Sequence, residues 1–215
     1  MINFFLRAKH WQLFLLLFAL PFVFQFVMFG SIFANIDEGS EPDPTVLFSF
    51  FQFFPLIILV PTLVVAGWQW SIVVGLNSKL PEGATVKLGR FKFFIIFPLI
   101  YILFLCLGMI MLFDGMMEGG MTEAPEETLL SGMLISFALV IPFHLLSMVC
   151  LILAMGSVAK TIKSIEMGKE ATVSDYIGEF ILVWFNFVGV WILQPKINQW
   201  MDTPDELDGG FIVRK

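Results

Sequence analysis

The 215-residue chain is 58% hydrophobic and only 14% charged, a balance that excludes an ordinary soluble domain and fits a multipass membrane protein. Its net charge of −6 is sorted loop by loop and includes no basic patch suited to nucleic acid. The two cysteines, Cys106 and Cys150, both fall inside apolar runs, where a disulfide has no oxidising aqueous surroundings, and they read as small buried side chains.

The opening run, MINFFLRAKHWQLFLLLFALPFVFQFVMFG, has the basic start of a signal peptide. Its apolar stretch continues for about 25 residues without a small-x-small cleavage site, so it reads as a first span over residues 11–36. A membrane helix needs about 20 apolar residues to cross roughly 30 Å of hydrocarbon. By that measure three further spans follow, over residues 45–78, 93–113 and 128–159. The second and fourth exceed the requirement, which predicts tilt, a kink or extension beyond the bilayer. The sequence therefore predicts an all-α integral membrane bundle, one domain over residues 1–201, followed by a polar tail at 202–215.

Charge sets the orientation. Arg7 and Lys9 precede the first span, and Lys79, Lys87, Arg90 and Lys92 follow the second. Lys160, Lys163 and Lys169 follow the fourth. The other two loops are wholly acidic, with Asp37, Glu38, Glu41 and Asp43 in one and Asp114, Glu118, Glu123, Glu126 and Glu127 in the other. By the positive-inside rule the N-terminus is cytoplasmic and both acidic loops are external.

The fifth apolar segment, residues 180–194 (FILVWFNFVGVWILQ), is short for a crossing and is interrupted by Asn186 and Gly189. It is a re-entrant, interfacial or fifth spanning segment. Against a crossing, a cytoplasmic tail would keep Lys196, Arg214 and Lys215 inside and let Trp184, Trp191 and Trp200 join an aromatic belt with Trp11, Trp68 and Trp70. The preceding stretch, SVAKTIKSIEMGKEATVSDYIGEF, predicts a fourth helix extended to about Met167, a stop at Gly168, and a restart capped by Thr172 or Ser174. Lys160 and Lys163 are expected to snorkel to anionic headgroups.

An offset of 87 residues pairs Pro55 with Pro142, Ala84-Thr85-Val86 with Ala171-Thr172-Val173, and Phe93 with Phe180. This predicts two related hairpins, the first and second spans repeated as the third and fourth, about an axis near the membrane normal. On that scheme the fifth segment starts a third, truncated unit, which favours a crossing. The stretches LPEGATVKLGRFKFF and SDYIGEFILVWFNFVGVWILQPKIN resemble a set of uncharacterised multipass membrane proteins of Bacteroidota bacteria. That resemblance spans most of the chain, implies a bacterial inner membrane, brings no activity with it, and implies a helix break near Asn186, where relatives are expected to carry a proline.

Gln25, Thr62, Tyr101 and His144 fall near the middle of the four spans and are expected to turn inward as a midplane polar layer. Such a layer serves either as interhelical glue or as a substrate or proton site with His144 as the relay. Gly67, Ser71 and Gly75 recur every four residues and form a stripe for close helix approach, within the chain or in a homodimer, with Trp68 and Trp70 off it toward the interface. Pro21, Pro55, Pro61, Pro98 and Pro142 give every span a candidate kink.

Two histidines at different depths, and no carboxylate in the four spans, make neither a metal site nor a nucleophile and base set. No cofactor, metal or enzymatic activity is expected. The expected function is a structural or accessory component of a membrane complex, with the lipid bilayer and further membrane subunits or a second copy as partners. A small proton-coupled transporter or channel built around His144 is the alternative.

Overall fold

The computed structural model describes residues 1–34, 53–117 and 126–202. The ends of the first two predicted spans at 35–36 and 45–52, the acids Asp37 to Asp43, Glu118 and Glu123, and the tail beyond 202 lie outside the described residues. Seven helices are described: α1 (Ile2–Arg7), α2 (His10–Ala34), α3 (Phe54–Gly75), α4 (Leu88–Met117), α5 (Glu126–Met167), α6 (Val173–Trp184) and α7 (Asn186–Asp202), with a 3-10 turn at Asn77–Lys79 after α3. α2, α3, α4 and α5 are each long and apolar enough to cross a membrane. At 1.5 Å per residue, the 42 residues of α5 run about 63 Å, roughly twice the hydrocarbon thickness, and its last turns carry Lys160 and Lys163 to the end where α6 and α7 pack.

Local chemistry sets the breaks. Ala8 is extended (φ −59°, ψ 142°) and separates α1 from α2. At the start of α2 the Lys9 N–H donates to Gln12 Oε1 at 2.8 Å, the returning half of a capping box. α5 stops where Gly168 takes φ +65°, a left-handed turn that glycine enters without Cβ strain, and its N–H donates to the Ile165 carbonyl. α6 restarts on Thr172, whose N–H and hydroxyl both donate to the Asp175 carboxylate, at 2.8 and 2.6 Å. The predicted stop and cap are both present.

The core lies at one end of the bundle. Leu13 and Leu17 at the start of α2, Trp68, Ile72, Val73 and Leu76 at the end of α3, Phe91 and Ile95 at the start of α4, and Ala154, Val158 and Ile162 in α5 are buried together with Val183, Val190, Leu193 and Ile197. The basic loops gather at this end: Gly75 abuts Ile2 and Leu6, and Lys160 Nζ reaches the Thr85 carbonyl at 3.2 Å. At the other end α2 exposes Phe22, Phe26 and Phe33, and α5 exposes its side chains on every side from Leu134 to Leu146 where they are described.

Residues 180–194 belong to a helical hairpin. α6 and α7 meet at a 119° bend on Phe185 (φ −87°, ψ 60°). Both arms pack on the same place on α5, since Lys163 pairs with Glu179 of α6 at 3.2 Å and Glu166 pairs with Lys196 of α7 at 2.9 Å. α7 descends antiparallel to α2, with Phe187 against Phe18, then Trp191 against Phe14 and His10. The tip therefore reaches the level of Phe18, about 12 Å beyond His10 at helical rise, less than half a bilayer core. The segment is thus a bent helical pair, the geometry of a re-entrant loop or of a broken span, and its helices do not run from one end of the bundle to the other. Gly189 permits the fold-back: a Cβ there would overlap the Leu182 carbonyl oxygen.

The prolines divide. Pro21, Pro61, Pro98 and Pro142 are interior to helices, as is Pro195 in α7. Pro55 instead occupies the first turn of α3, where its missing N–H has no intrahelical partner to lose, so within α3 it breaks no bond and makes no kink. The Pro55 and Pro142 pair of the 87-residue offset thus occupies unlike positions, one at a helix start and one deep inside.

Candidate functional site

Two polar constellations stand out. At mid-depth, Tyr101 on α4 and His144 on α5 meet edge to face, with the tyrosine hydroxyl 3.2 Å from His144 Nδ1. The same hydroxyl lies 3.5 Å from the Val140 carbonyl, the acceptor of the His144 N–H in a regular helix. The other two members of the expected layer are elsewhere. Thr62 donates back to the Ile58 carbonyl at 2.7 Å within α3, and Gln25 is exposed on α2. Among the described residues no hydrogen bond joins either to the pair: Thr62 is satisfied within its own helix, and Gln25 faces away from the bundle. His144 itself is exposed beside Phe143 and Leu145.

The second constellation lies at the basic end. The Gly67, Ser71 and Gly75 stripe is the bed of α1: a Cβ on Gly67 would come within 2.7 Å of the Phe5 ring, and one on Gly75 within 2.6 Å of Ile2. Ser71 is fully buried and donates to the Gly67 carbonyl. Helix ends leave unpaired carbonyls, and those of α1 are taken by α7. The fully buried Gln194 donates through Nε2 to the carbonyls of Phe5 (3.0 Å) and Ala8 (2.8 Å), while its Oε1 accepts from Trp68 Nε1 at 2.8 Å. Asn198, one turn on, donates to the Leu6 and Ala8 carbonyls. Trp68 is thus 1% exposed and internal, against the expectation of an interfacial position. Trp70 fits that expectation better, half-buried with Lys92 Nζ 5.8 Å above its ring.

An alternating ion chain, Glu179, Lys163, Glu166 and Lys196, ties α6, α5 and α7 together, with Lys160 paired separately to Glu170 at 2.6 Å. Lys160 and Lys163, expected to reach headgroups, are engaged by carboxylates instead. Sequence reasoning missed α1, Gln194, Asn198 and Glu179 as organising residues. The spacing of Gln194 and Asn198 by four was the available signal, since it places two amides on one face of a helix.

Charge makes the α5–α6 corner acid-sensitive. The Lys160 ammonium bonded to Glu170, and the Thr172 hydroxyl bonded to Asp175, each hold the carboxyl below its ordinary value. A carboxyl depressed on folding contributes stability that is complete above its unfolded value, about 4, and is lost as pH falls through the lower folded value. The deficit of Asp175→Ala and Glu170→Gln in thermal melting is therefore expected to be largest near pH 7 and to shrink progressively as pH falls below about 4. A deficit that persists undiminished at pH 3 would exclude the ionised contacts as its source.

No known protein family, curated protein or solved structure matches the chain.

Proposed function

We propose that the protein is a structural or accessory subunit of a complex in a bacterial inner membrane, with its N-terminus and basic loops cytoplasmic and with no catalytic role. The orientation rests on the positive-inside rule, and the bacterial membrane on the resemblance carried by LPEGATVKLGRFKFF and SDYIGEFILVWFNFVGVWILQPKIN. The observation that carries the role is the uneven core: the chain consolidates its basic end, while α4 and α5 leave a hydrogen-bonded Tyr101–His144 pair on an otherwise apolar surface. Polar side chains at that depth turn toward protein or water rather than lipid, so the pair suits the seam of a neighbouring helix, from another subunit or a second copy.

His144→Ala is expected to reduce recovery of the partner from gently solubilised membranes several-fold, to leave the isolated chain's melting temperature within a few degrees, and to change no ion flux. A photo-crosslinker at Ile141 is expected to join the same partner. The transporter reading draws on the same pair as a proton relay and makes the opposite prediction: pH-dependent flux in proteoliposomes, lost in His144→Ala. Wild-type flux of that kind would overturn the accessory role, whereas partner recovery unaffected by the substitution would remove the seam.

A further inference from the structure

At the elbow between α1 and α2 a shallow groove of about 380 Å³ is lined by Phe4, Trp11, Gln12, Leu15 and Leu16. Phe4 is 59% exposed and Leu15 50%, so the lining is left uncovered among the described residues. The groove has two unlike ends. Leu15 and Leu16 lie one turn beyond Trp11 and Gln12, on the way to the exposed Phe22, Val23 and Phe26, so that end opens toward the surface α2 offers to hydrocarbon. The other end is basic. Arg7 follows Phe4 by three residues, on the same face of α1, and Lys9 caps α2.

Arg7 and Lys9 differ from the bases of α5 and α7 in one respect. Lys160, Lys163 and Lys196 are engaged by Glu170, Glu179 and Glu166, whereas neither Arg7 nor Lys9 has an ion-pair partner among the described residues. Gln12 adds a neutral donor. Its Oε1 accepts from the Lys9 N–H, which leaves the Nε2 hydrogens for a ligand. Two exposed cations at the α1–α2 junction, next in the chain to an apolar groove that contains the Gln12 amide, complement an amphiphile with an anionic head.

We propose that the elbow is a binding site for an anionic phospholipid, with the phosphate held by Arg7, Lys9 and the Gln12 amide, and one acyl chain lying along Phe4, Trp11, Leu15 and Leu16. The headgroup contacts are charge-assisted, and the chain contacts add apolar burial that a free phosphate lacks. A zwitterionic headgroup places its own ammonium among the bases and binds more weakly.

The test is native mass spectrometry of the full-length protein in detergent with phosphatidylglycerol or phosphatidylcholine of identical acyl chains. The wild type is expected to retain the anionic lipid several-fold better. Arg7→Gln with Lys9→Gln is expected to bring that ratio near one, whereas Lys87→Gln with Arg90→Gln, removing two exposed bases outside the groove, leaves it unchanged. Leu16→Trp, which fills the trough with the bases intact, is expected to lower retention as well. Equal retention of both lipids by the wild type would overturn the proposal, as would an equal loss in the Lys87 and Arg90 control. Displacement of the lipid by millimolar inorganic phosphate would reassign the site to a simple anion, and a lipid-free dimer of the wild type would reassign the groove to a second copy.

Discussion

Gly189→Ala is expected to undo the α6–α7 hairpin, while the chemically identical change at Gly178 is expected to stabilise the protein. At Gly189 a new Cβ would overlap the Leu182 carbonyl oxygen and lie 2.6 Å from its carbon, both backbone atoms with no rotamer to escape through. Insertion of one methyl into a tight site commonly costs about 1–3 kcal/mol, and a clash against backbone belongs at or above the top of that range. Gly178 lies in the same hairpin, and a Cβ there meets nothing within 4 Å, so alanine is expected to add about 0.5–1 kcal/mol by restricting the unfolded chain. Thermal melting in detergent, with amide exchange over residues 173–202, separates the two. A Gly189→Ala protein that melts with the wild type would mean that α6 and α7 are not packed back to back at Leu182. The prediction reaches beyond the hairpin, because Lys163 and Glu166 on α5 find their partners Glu179 and Lys196 only when both arms return to them.

The helices were legible because their signals are local. Apolar length marks α2 to α5, and Gly168 with Thr172 marks the α5–α6 corner from residues adjacent in the chain. The depth of the fifth segment was less legible. Its 15 residues fit a crossing, an interfacial segment or a re-entrant one, and the fold-back rests on a contact of Gly189 with Leu182 that depends on the bend at Phe185. The midplane layer was half legible for a similar reason. Equal depth along four helices was readable, but lateral convergence requires knowing that α4 packs on α5 there while α2 turns Gln25 outward. The glycine stripe on α3 was read as a packing surface, yet its occupant, a six-residue helix at the start of the same chain, is too short to announce itself by periodicity.

That short helix makes Gln194 the second large effect. Six residues form an α-helix with few internal hydrogen bonds, so α1 depends on Gly67 and Gly75 for room and on α7 for partners to its last carbonyls. Gln194→Leu preserves the volume and removes all of its hydrogen bonds. The Ala8 carbonyl keeps Asn198, but the Trp68 N–H loses its acceptor and the Phe5 carbonyl loses the Gln194 donor, at about 1–3 kcal/mol for each buried orphan. The expected loss is therefore about 2–5 kcal/mol, with faster amide exchange over residues 2–8 before the spans respond. Gln194→Glu is the sharper variant, since it keeps an acceptor for Trp68 but, when ionised, offers the α1 carbonyls no donor and faces them with a charge. It is expected to be at least as damaging as leucine at pH 7 and to recover partly on acidification, as a protonated carboxyl regains one donor. Trp68→Phe combined with Gln194→Leu removes both ends of one bond, so the pair should cost less than the sum of the singles by about 1 kcal/mol or more. Strict additivity, or a glutamate variant as stable as the wild type, would show that the amide does not hold α1 to the bundle.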